Sequence, residues 1–189
     1  YNFADSETLH KDEFQGIYVD DVTGGTLDPS LSKKAREAEM KSFEEMGVYE
    51  YAPKELAMKD VKGKIVGVRW VDVLKGEDVR SRLVAQEFAS GDDRDDIFAA
   101  TPPLFATKMC ISDAASCSID GPGDRALMVL DVKRAFLYGD IEDTVYIRLP
   151  PEDPMHDQGY VGLLKKAMYG TRGAPKVWQK RVKVAMNRM

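Results

Sequence analysis

Hydrophobic and polar side chains follow regular periods along much of the chain, and these periods predict several β-strands. Residues 64–88, "KIVGVRWVDVLKGEDVRSRLVAQEF", predict two strands joined by the turn "LKGED". Residues 144–154 and 160–170, "TVYIRLPPEDP" and "YVGLLKKAMYG", predict two more. The run "ALMVLDV" at residues 126–132 is almost continuously apolar, which is typical of a buried strand.

Helical spacing predicts three helices. The first begins sharply, because Asp28 can cap the free amides, Pro29 fits the first helical position and Gly47 can end the helix. Its predicted buried face consists of Leu31, Ala35, Ala38, Ser42 and Met46, which leaves the acids of "REAE" exposed. Further helices are predicted over residues 104–121 and behind Pro175. Because helices and hairpins are mixed along the chain, the predicted fold class is α+β.

The remaining segments are predicted to be irregular. Residues 1–27 are polar, which favours a linker or extended arm, and residues 89–103 form a charged loop that ends in two prolines. The chain starts with Tyr1, and its last residues, "VKVAMNRM", contain no signal that ends a helix. We therefore interpret the sequence as a piece of a longer protein.

Composition excludes several classes of protein. The content of 43% hydrophobic and 31% charged residues is that of a globular domain. Two cysteines (Cys110 and Cys117) and two histidines (His10 and His156) match no zinc pattern. No apolar run approaches the ~20 residues of a membrane helix, and the first residues do not resemble a signal peptide, so we expect no membrane partner.

Charge is distributed unevenly along the chain. Residues 160–189 contain eight Lys or Arg and no Asp or Glu, although the whole chain has a net charge of -5. A basic end on an acidic chain could face a polyanion. Charges that simply face water are the alternative interpretation, and charge alone favours it.

Asp131 and Phe136 are the most informative candidate residues. An acid at the end of an apolar strand is costly unless it has a partner or a cation. A carboxylate on a rigid strand could hold Mg²⁺, and a ring five residues later could clash with a ribose 2′-hydroxyl and so select deoxynucleotides. The same residues also fit a second interpretation, in which Asp131 caps the short helix "KRAFLYG" and Phe136 lies in the core. The sequence pattern alone does not decide between the metal site and the helix cap.

Two basic features accompany Asp131. Arg80 and Arg82 lie on one face of a predicted strand, where they could bind a triphosphate or merely face water. A basic turn between Gly170 and Pro175 precedes Trp178 on the last helix.

The ordered motifs resemble the reverse transcriptase of copia-type LTR retrotransposons. They are "GVRWVDVLKG", "RSRLVAQEF", "DDIFAATPP", "LDVKRAFLYGDIEDTVYIRLPPE" and "LLKKAMYGTRGAPKVW". The family pattern is a tryptophan strand followed by "ARLVAKGF", "FAPV", "DVKxAFLNG", "VYMxxPPG" and "LYGLKQAPRxW". The resemblance runs from about Ala35 to the last residue. The chain departs from the pattern at Gln86, at Gly173 and around Phe98.

The resemblance implies a partial right-hand polymerase, with the fingers and the first part of the palm, truncated before the second catalytic carboxylate motif. After the linker at 1–27, the incomplete domain would occupy residues 28–189. Its implied parts are the fingers (mainly 28–125), the palm motif (126–140), the turn between fingers and palm (141–175) and the start of a palm helix (176–189).

The resemblance also implies the site. Asp131 would be the catalytic aspartate and a metal ligand, together with the backbone carbonyl of Val132, for one of two Mg²⁺ ions in the complete enzyme. Phe136 would be the sugar gate. The other implied substrate-binding residues are Arg80, Arg82, Gly170, Arg172 and Pro175. Implied partners are an RNA or DNA template–primer, dNTPs and the remainder of a Pol polyprotein, in an intracellular setting such as a cytoplasmic particle or the nucleus.

The tetrapeptide "YVDD" at residues 18–21 matches the catalytic "YxDD" box of reverse transcriptases. In the family this box follows the "DVKxAF" motif, whereas here it precedes Asp131 by more than a hundred residues. We therefore interpret Asp20 and Asp21 as a chance match. The chain then lacks the downstream box, and we expect a fragment that is inactive alone. The alternative is a non-catalytic retrotransposon remnant that at most binds nucleic acid.

Overall fold

The strand hairpin predicted from residues 64–88 forms because its apolar and polar side chains alternate. A computed structural model of the chain describes residues 17–87, 102–116 and 127–188. In it, Val68–Lys75 pairs antiparallel with Asp78–Ala85, with Lys75 opposite Asp78 at the turn. Trp70 and Leu83 face each other from the two strands and are both buried. The predicted turn is thus confirmed.

The described elements confirm the mixed α+β class. The strands are β1 (Tyr18–Val19), β2 (Thr26–Leu27), β3 (Tyr49–Pro53), β4 (Lys64–Val66), β5 (Val68–Lys75), β6 (Asp78–Ala85), β7 (Val145–Ile147) and β8 (Tyr160–Leu164). The helices are α1 (Pro29–Glu45), α2 (Lys54–Lys59), α3 (Leu104–Ser116) and α4 (Ala174–Met186), with a 3₁₀ helix at Ala135–Tyr138. Residues 1–16 of the expected arm, and most of the expected loop at 89–103, lie outside the described residues.

Strands from distant parts of the sequence form the main sheet. Its order is β3-β8-β7-β4, in which β4 and β7 are parallel and the other pairs are antiparallel. Helix α1 packs against β6 of the hairpin. A single apolar cluster, which includes Phe43, Trp70, Leu83, Ile147 and Met168, joins the helix, the hairpin and the sheet.

Helix α1 begins as predicted. The Asp28 side chain accepts hydrogen bonds from the amides of Ser30 and Leu31, at 2.8 and 2.9 Å, and Pro29 occupies the first turn. The predicted buried face is wrong, however. The buried residues are Ser32, Arg36, Glu39 and Phe43, because buried ion pairs rather than apolar contacts hold much of this face against the fold.

Two other expectations differ from the structure. Residues 17–27 form a hairpin of β1 and β2 rather than an irregular arm. The run at 127–132 forms no strand, and its apolar side chains are exposed, up to 87% at Val129. An apolar run becomes a buried strand only where another strand pairs with its amides and carbonyls, and no described strand does so here.

Candidate functional site

Tyr169 brings two of the predicted site residues together. Its ring meets the ring of Phe136 edge-on, with the centroids 5.4 Å apart and the planes at 73°. The guanidinium carbon of Arg82 lies 5.3 Å from the centroid of the same ring. Both distances lie within the range of favourable aromatic and cation–π contacts. Tyr169 was not predicted as a site residue, although it directly precedes Gly170 in the sequence.

Gly170 fixes this ring against the end of the hairpin. The amide of Ala85 donates to the carbonyl of Tyr169 at 2.8 Å, and Gly170 has a φ of +80°. A Cβ on Gly170 would lie 1.9 Å from the carbonyl oxygen of Ala85, so only glycine allows this approach. The turn that contains Gly170 is therefore docked on β6, the strand that carries Arg80 and Arg82.

Arg80 and Arg82 share one face of β6, as predicted, while Ser81 is buried on the other face. The two arginines line a small cavity of about 130 Å³ together with Val71 and Val73 of β5. Arg80 is exposed, whereas Nε of Arg82 is buried and has no hydrogen-bond acceptor among the described residues. The Nε of Arg82 is therefore an unsatisfied donor that is shielded from solvent.

Glu87 connects the Gly170 turn to the main sheet. Its side chain is only 4% exposed, its Oε1 pairs with Nζ of Lys64 at 2.5 Å, and its Oε2 accepts from the amide of Arg172 at 3.1 Å. Pro175 follows in the first turn of α4, where its missing amide costs nothing. The predicted residues Gly170, Arg172 and Pro175 thus form one anchored turn.

Phe136 lies on the 3₁₀ helix and is partly buried. It packs against the cluster formed by Ala167, Ala174 and Val177. The ring is therefore packed on one side, and its partial burial leaves some of it accessible.

Asp131 lies in the exposed segment that leads into the 3₁₀ helix. The N-cap of this helix is Arg134, in the left-handed conformation with a φ of 53° and without a side-chain capping bond, so Asp131 is not a helix cap. No described residue forms a hydrogen bond or ion pair with its carboxylate. Arg134 holds the segment in place through Glu39 of α1, with Nε 2.9 Å from Oε2.

Asp20 and Asp21 hold the β1–β2 hairpin against β5. The Asp20 carboxylate, 3% exposed, accepts from the amides of Val22, Thr23 and Leu74 at 2.7–3.1 Å. The bonds from Val22 and Leu74 hold the pKa of Asp20 below its usual value. Asp21 accepts from the amide of Asp72 at 2.8 Å.

A buried ionic network was missed at the sequence level. The Arg36 guanidinium pairs with Asp72 at 2.6 Å and with Glu152 at 3.0 Å. The indole N–H of Trp70 donates to the other Glu152 oxygen at 2.8 Å. The sequence feature that indicates this network is the helical spacing of Ser32, Arg36, Glu39 and Phe43. It defines a largely polar helix face, which can be buried only against charged partners.

Among residues 17–87, 102–116 and 127–188, no three side chains that commonly bind metals are grouped together. In the same ranges, no helix is both long and apolar enough to cross a bilayer.

The chain belongs to the reverse transcriptase (RNA-dependent DNA polymerase) family, whose model matches residues 54–189. This confirms the resemblance found in its motifs. The match includes all the predicted site residues: Arg80 and Arg82 on β6, Asp131, Val132, Phe136 and the Gly170 turn.

Similar proteins are Pol polyproteins of plant transposons. The chain is 30% identical over 154 residues to the retrovirus-related Pol polyprotein from transposon TNT 1-94 of Nicotiana tabacum, with 77% of this chain and 11% of the relative covered. It is 31% identical over 121 residues to those from transposons RE1 and RE2 of Arabidopsis thaliana, with 60% of this chain and 8% of each relative covered. The chain thus spans about a tenth of the length of these relatives. No solved structure matches it.

Proposed function

We propose that this chain forms the fingers and the first part of the palm of an RNA-directed DNA polymerase from a copia-type Pol polyprotein. The observation that carries the proposal is the contact of Phe136 and Arg82 with one ring, that of Tyr169. A candidate sugar gate and a candidate phosphate ligand, 54 residues apart in the sequence, are thereby held in one group.

In the proposed reaction, the 3′-hydroxyl of a primer attacks the α-phosphate of a dNTP and pyrophosphate leaves. Arg80 and Arg82 bind the triphosphate, and Phe136 lies beside the sugar, where a 2′-hydroxyl would clash with it. The turn from Gly170 to Pro175 supports the template and the new base pair. The contribution of these residues is position and charge neutralisation.

Asp131 fits one part of a magnesium site. Its carboxylate is exposed and no described residue pairs with it, and carboxylate and carbonyl oxygens are the donors that Mg²⁺ prefers. Asp131 and the carbonyl of Val132 would hold the ion, which when bound would neutralise charge on the phosphates. One carboxylate cannot hold two ions about 3.5–4 Å apart, so other ligands have to come from outside the described residues. We propose that these ligands lie outside the chain, which would then be inactive alone.

Primer extension on an RNA template tests the proposal, with Mg²⁺ and a Pol protein that contains this chain. Asp131→Asn should abolish extension without unfolding the protein. Asp157→Asn is the matched control, because Asp157 is 88% exposed and has a φ of +56°, which Asn tolerates well. Equal extension by the wild type and Asp131→Asn would remove Asp131 from the site.

The second candidate function, a nucleic-acid-binding remnant, is based on the basic end of the chain at residues 160–189. Part of the basic excess is already matched, because Lys165 pairs with Glu50, Lys166 with Asp140 and Lys180 with Glu142. If this function is correct, the affinity for a primer–template falls steeply as the salt concentration rises. Substitutions of Asp131 then change neither primer–template binding nor primer extension.

A further inference from the structure

An ion pair between Glu39 and Arg134 joins helix α1 to the segment that carries two of the candidate site residues. Nε of Arg134 lies 2.9 Å from Oε2 of Glu39, and Glu39 is only 4% exposed. Arg134 comes three residues after Asp131 and two residues before Phe136. The pair therefore fixes the chain between the candidate metal ligand and the candidate sugar gate.

The Glu39 carboxylate depends on Arg134 for its charge. Among the described residues, Arg134 is the one ion-pair partner of Glu39, and the other carboxylate oxygen, Oε1, is buried without a hydrogen bond. A buried carboxylate is costly unless a cation pairs with it. Because Glu39 is part of a helix that is fixed in the core, it determines where the side chain of Arg134 lies.

The backbone of Arg134 makes a sharp turn. It has a φ of 53° and a ψ of 39°, a left-handed conformation that residues other than Gly, Asn and Asp seldom adopt. The amide of Leu137 donates to the carbonyl of Arg134 at 3.0 Å, so the 3₁₀ helix with Phe136 begins directly at this turn. The turn thus sets the direction in which the 3₁₀ helix leaves the segment of Asp131.

The segment of residues 127–135 has few other supports. Its residues up to 133 are exposed, and the bond between Arg134 and Glu39 is the one side-chain hydrogen bond that the segment makes with the rest of the described chain. Phe136, the next residue, is held from the other side by the ring of Tyr169 and by the apolar cluster of α4. Two supports therefore fix the 3₁₀ helix, and α1 supplies one of them.

We propose that Glu39 and Arg134 are a positioning pair for selection of the nucleotide sugar. By anchoring the turn to α1, they fix the offset between Asp131 and Phe136, and with it the space beside the 2′ carbon of a bound nucleotide. This role rests on the proposed function. The family motifs do not contain the pair, because Glu39 precedes the matched residues 54–189 and Arg134 occupies the variable position of "DVKxAFLNG".

The double variant Glu39→Leu/Arg134→Asn separates position from stability. An apolar side chain in place of a buried ion is often tolerated, and Asn adopts the left-handed conformation readily, so the double variant should stay folded. In a Pol protein that contains this chain, its discrimination against ribonucleotides in primer extension should fall about tenfold. The kcat with deoxynucleotides should change less than the discrimination.

Two further variants complete the comparison. Lys41→Met/Glu45→Leu is the matched control, because it removes an exposed ion pair from the same helix and should leave sugar discrimination unchanged. Glu39→Gln keeps the size of the buried side chain but removes its charge, and it should lower discrimination in the same direction by a smaller factor.

Hydrogen exchange tests the anchoring step without any catalysis. The amide of Leu137 is bonded to the carbonyl of Arg134, so it should exchange several-fold faster in the double variant. The amide of Leu83, in β6 of the core, should exchange at the wild-type rate. Unchanged exchange at Leu137 would show that the ion pair does not hold the segment and would overturn the proposal.

The remaining outcomes separate this proposal from the proposed function. Unchanged sugar discrimination in a protein whose extension requires Asp131 overturns the positioning pair and leaves the proposed function in place. Discrimination that is lost in a destabilised Glu39→Leu protein and recovers in the stable double variant also overturns it, because the pair then acts through stability alone. Extension that is insensitive to Asp131→Asn overturns the proposed function, and the role in sugar selection with it.

Discussion

Gly170 and the carbonyl oxygen of Ala85 are so close that a single added carbon at Gly170 would lie 1.9 Å from that oxygen. This contact joins the turn after β8 to the end of β6, and it places Tyr169 where it meets both Phe136 and Arg82. The arrangement of the candidate site therefore depends on this glycine.

Gly170→Ala should destabilise the protein by well over the ~1–2 kcal/mol that a left-handed backbone alone costs an L-residue. Gly76→Ala is the control, because Gly76 has a similar φ of +68° but no atom within 4 Å of an added Cβ. Urea denaturation of both variants measures the difference. If Gly170→Ala and Gly76→Ala lose the same stability, the Gly170 turn can move away from β6 at little cost.

Tyr169→Leu should raise the KM for dNTPs and reduce discrimination against ribonucleotides, in a Pol protein that contains this chain. Without the ring, Arg82 loses its cation–π contact and Phe136 loses its edge contact. Tyr169→Phe keeps the ring and should behave nearly as the wild type. A loss of kcat alone, with unchanged KM and sugar discrimination, would contradict this role.

Substitution of Asp20 should lower the stability of the fold without affecting primer extension. Substitution of Asp131 should have the opposite pattern of effects. Asp20→Asn weakens three backbone hydrogen bonds to the carboxylate and should lower the thermal midpoint, whereas Asp131→Asn should change stability by no more than about 0.5 kcal/mol. Because the folded pKa of Asp20 is lowered, its contribution is present above the usual pKa of ~3.9 and is lost as pH falls through the folded value. The variant should therefore lose stability less steeply in acid.

Arg36→Met should destabilise the protein by about 3–5 kcal/mol, because it leaves Asp72 buried without its partner. The surface pair of Lys41 and Glu45, 3.9 Å apart on the same helix, is the control, and Lys41→Met should cost less than about 1 kcal/mol. Chemical denaturation measures both. A mild effect of Arg36→Met would show that water reaches Asp72.

Tyr49→Phe should cost about 1–3 kcal/mol, because the Tyr49 hydroxyl donates to Asp153, which is buried. Burial, and then this hydrogen bond, raise the pKa of Tyr49 far above its usual value. Its contribution is therefore complete below pH ~10 and declines as the pH rises further. The variant should lose stability less steeply in alkaline solution than the wild type, as measured by thermal unfolding from pH 8 to 11.

Local chemistry explains which elements were predicted correctly. The cap of α1 depends on Asp28 and Pro29, and the turn of the β5–β6 hairpin depends on alternation around Gly76, so neighbouring residues alone decide them. The run at 127–132 was predicted wrongly for the opposite reason. Its apolar letters could not reveal whether another strand pairs with it.

The linear sequence alone determined the family, the caps, the hairpin and the list of candidate residues, because motifs and short periods are properties of neighbouring positions. Only the tertiary structure decided that α1 buries Arg36 and Glu39, that Asp20 holds a hairpin, and that Tyr169 joins Phe136 to Arg82. Each of these depends on a partner tens of residues away, and whether a charge or a ring is buried is set by what lies opposite it in space.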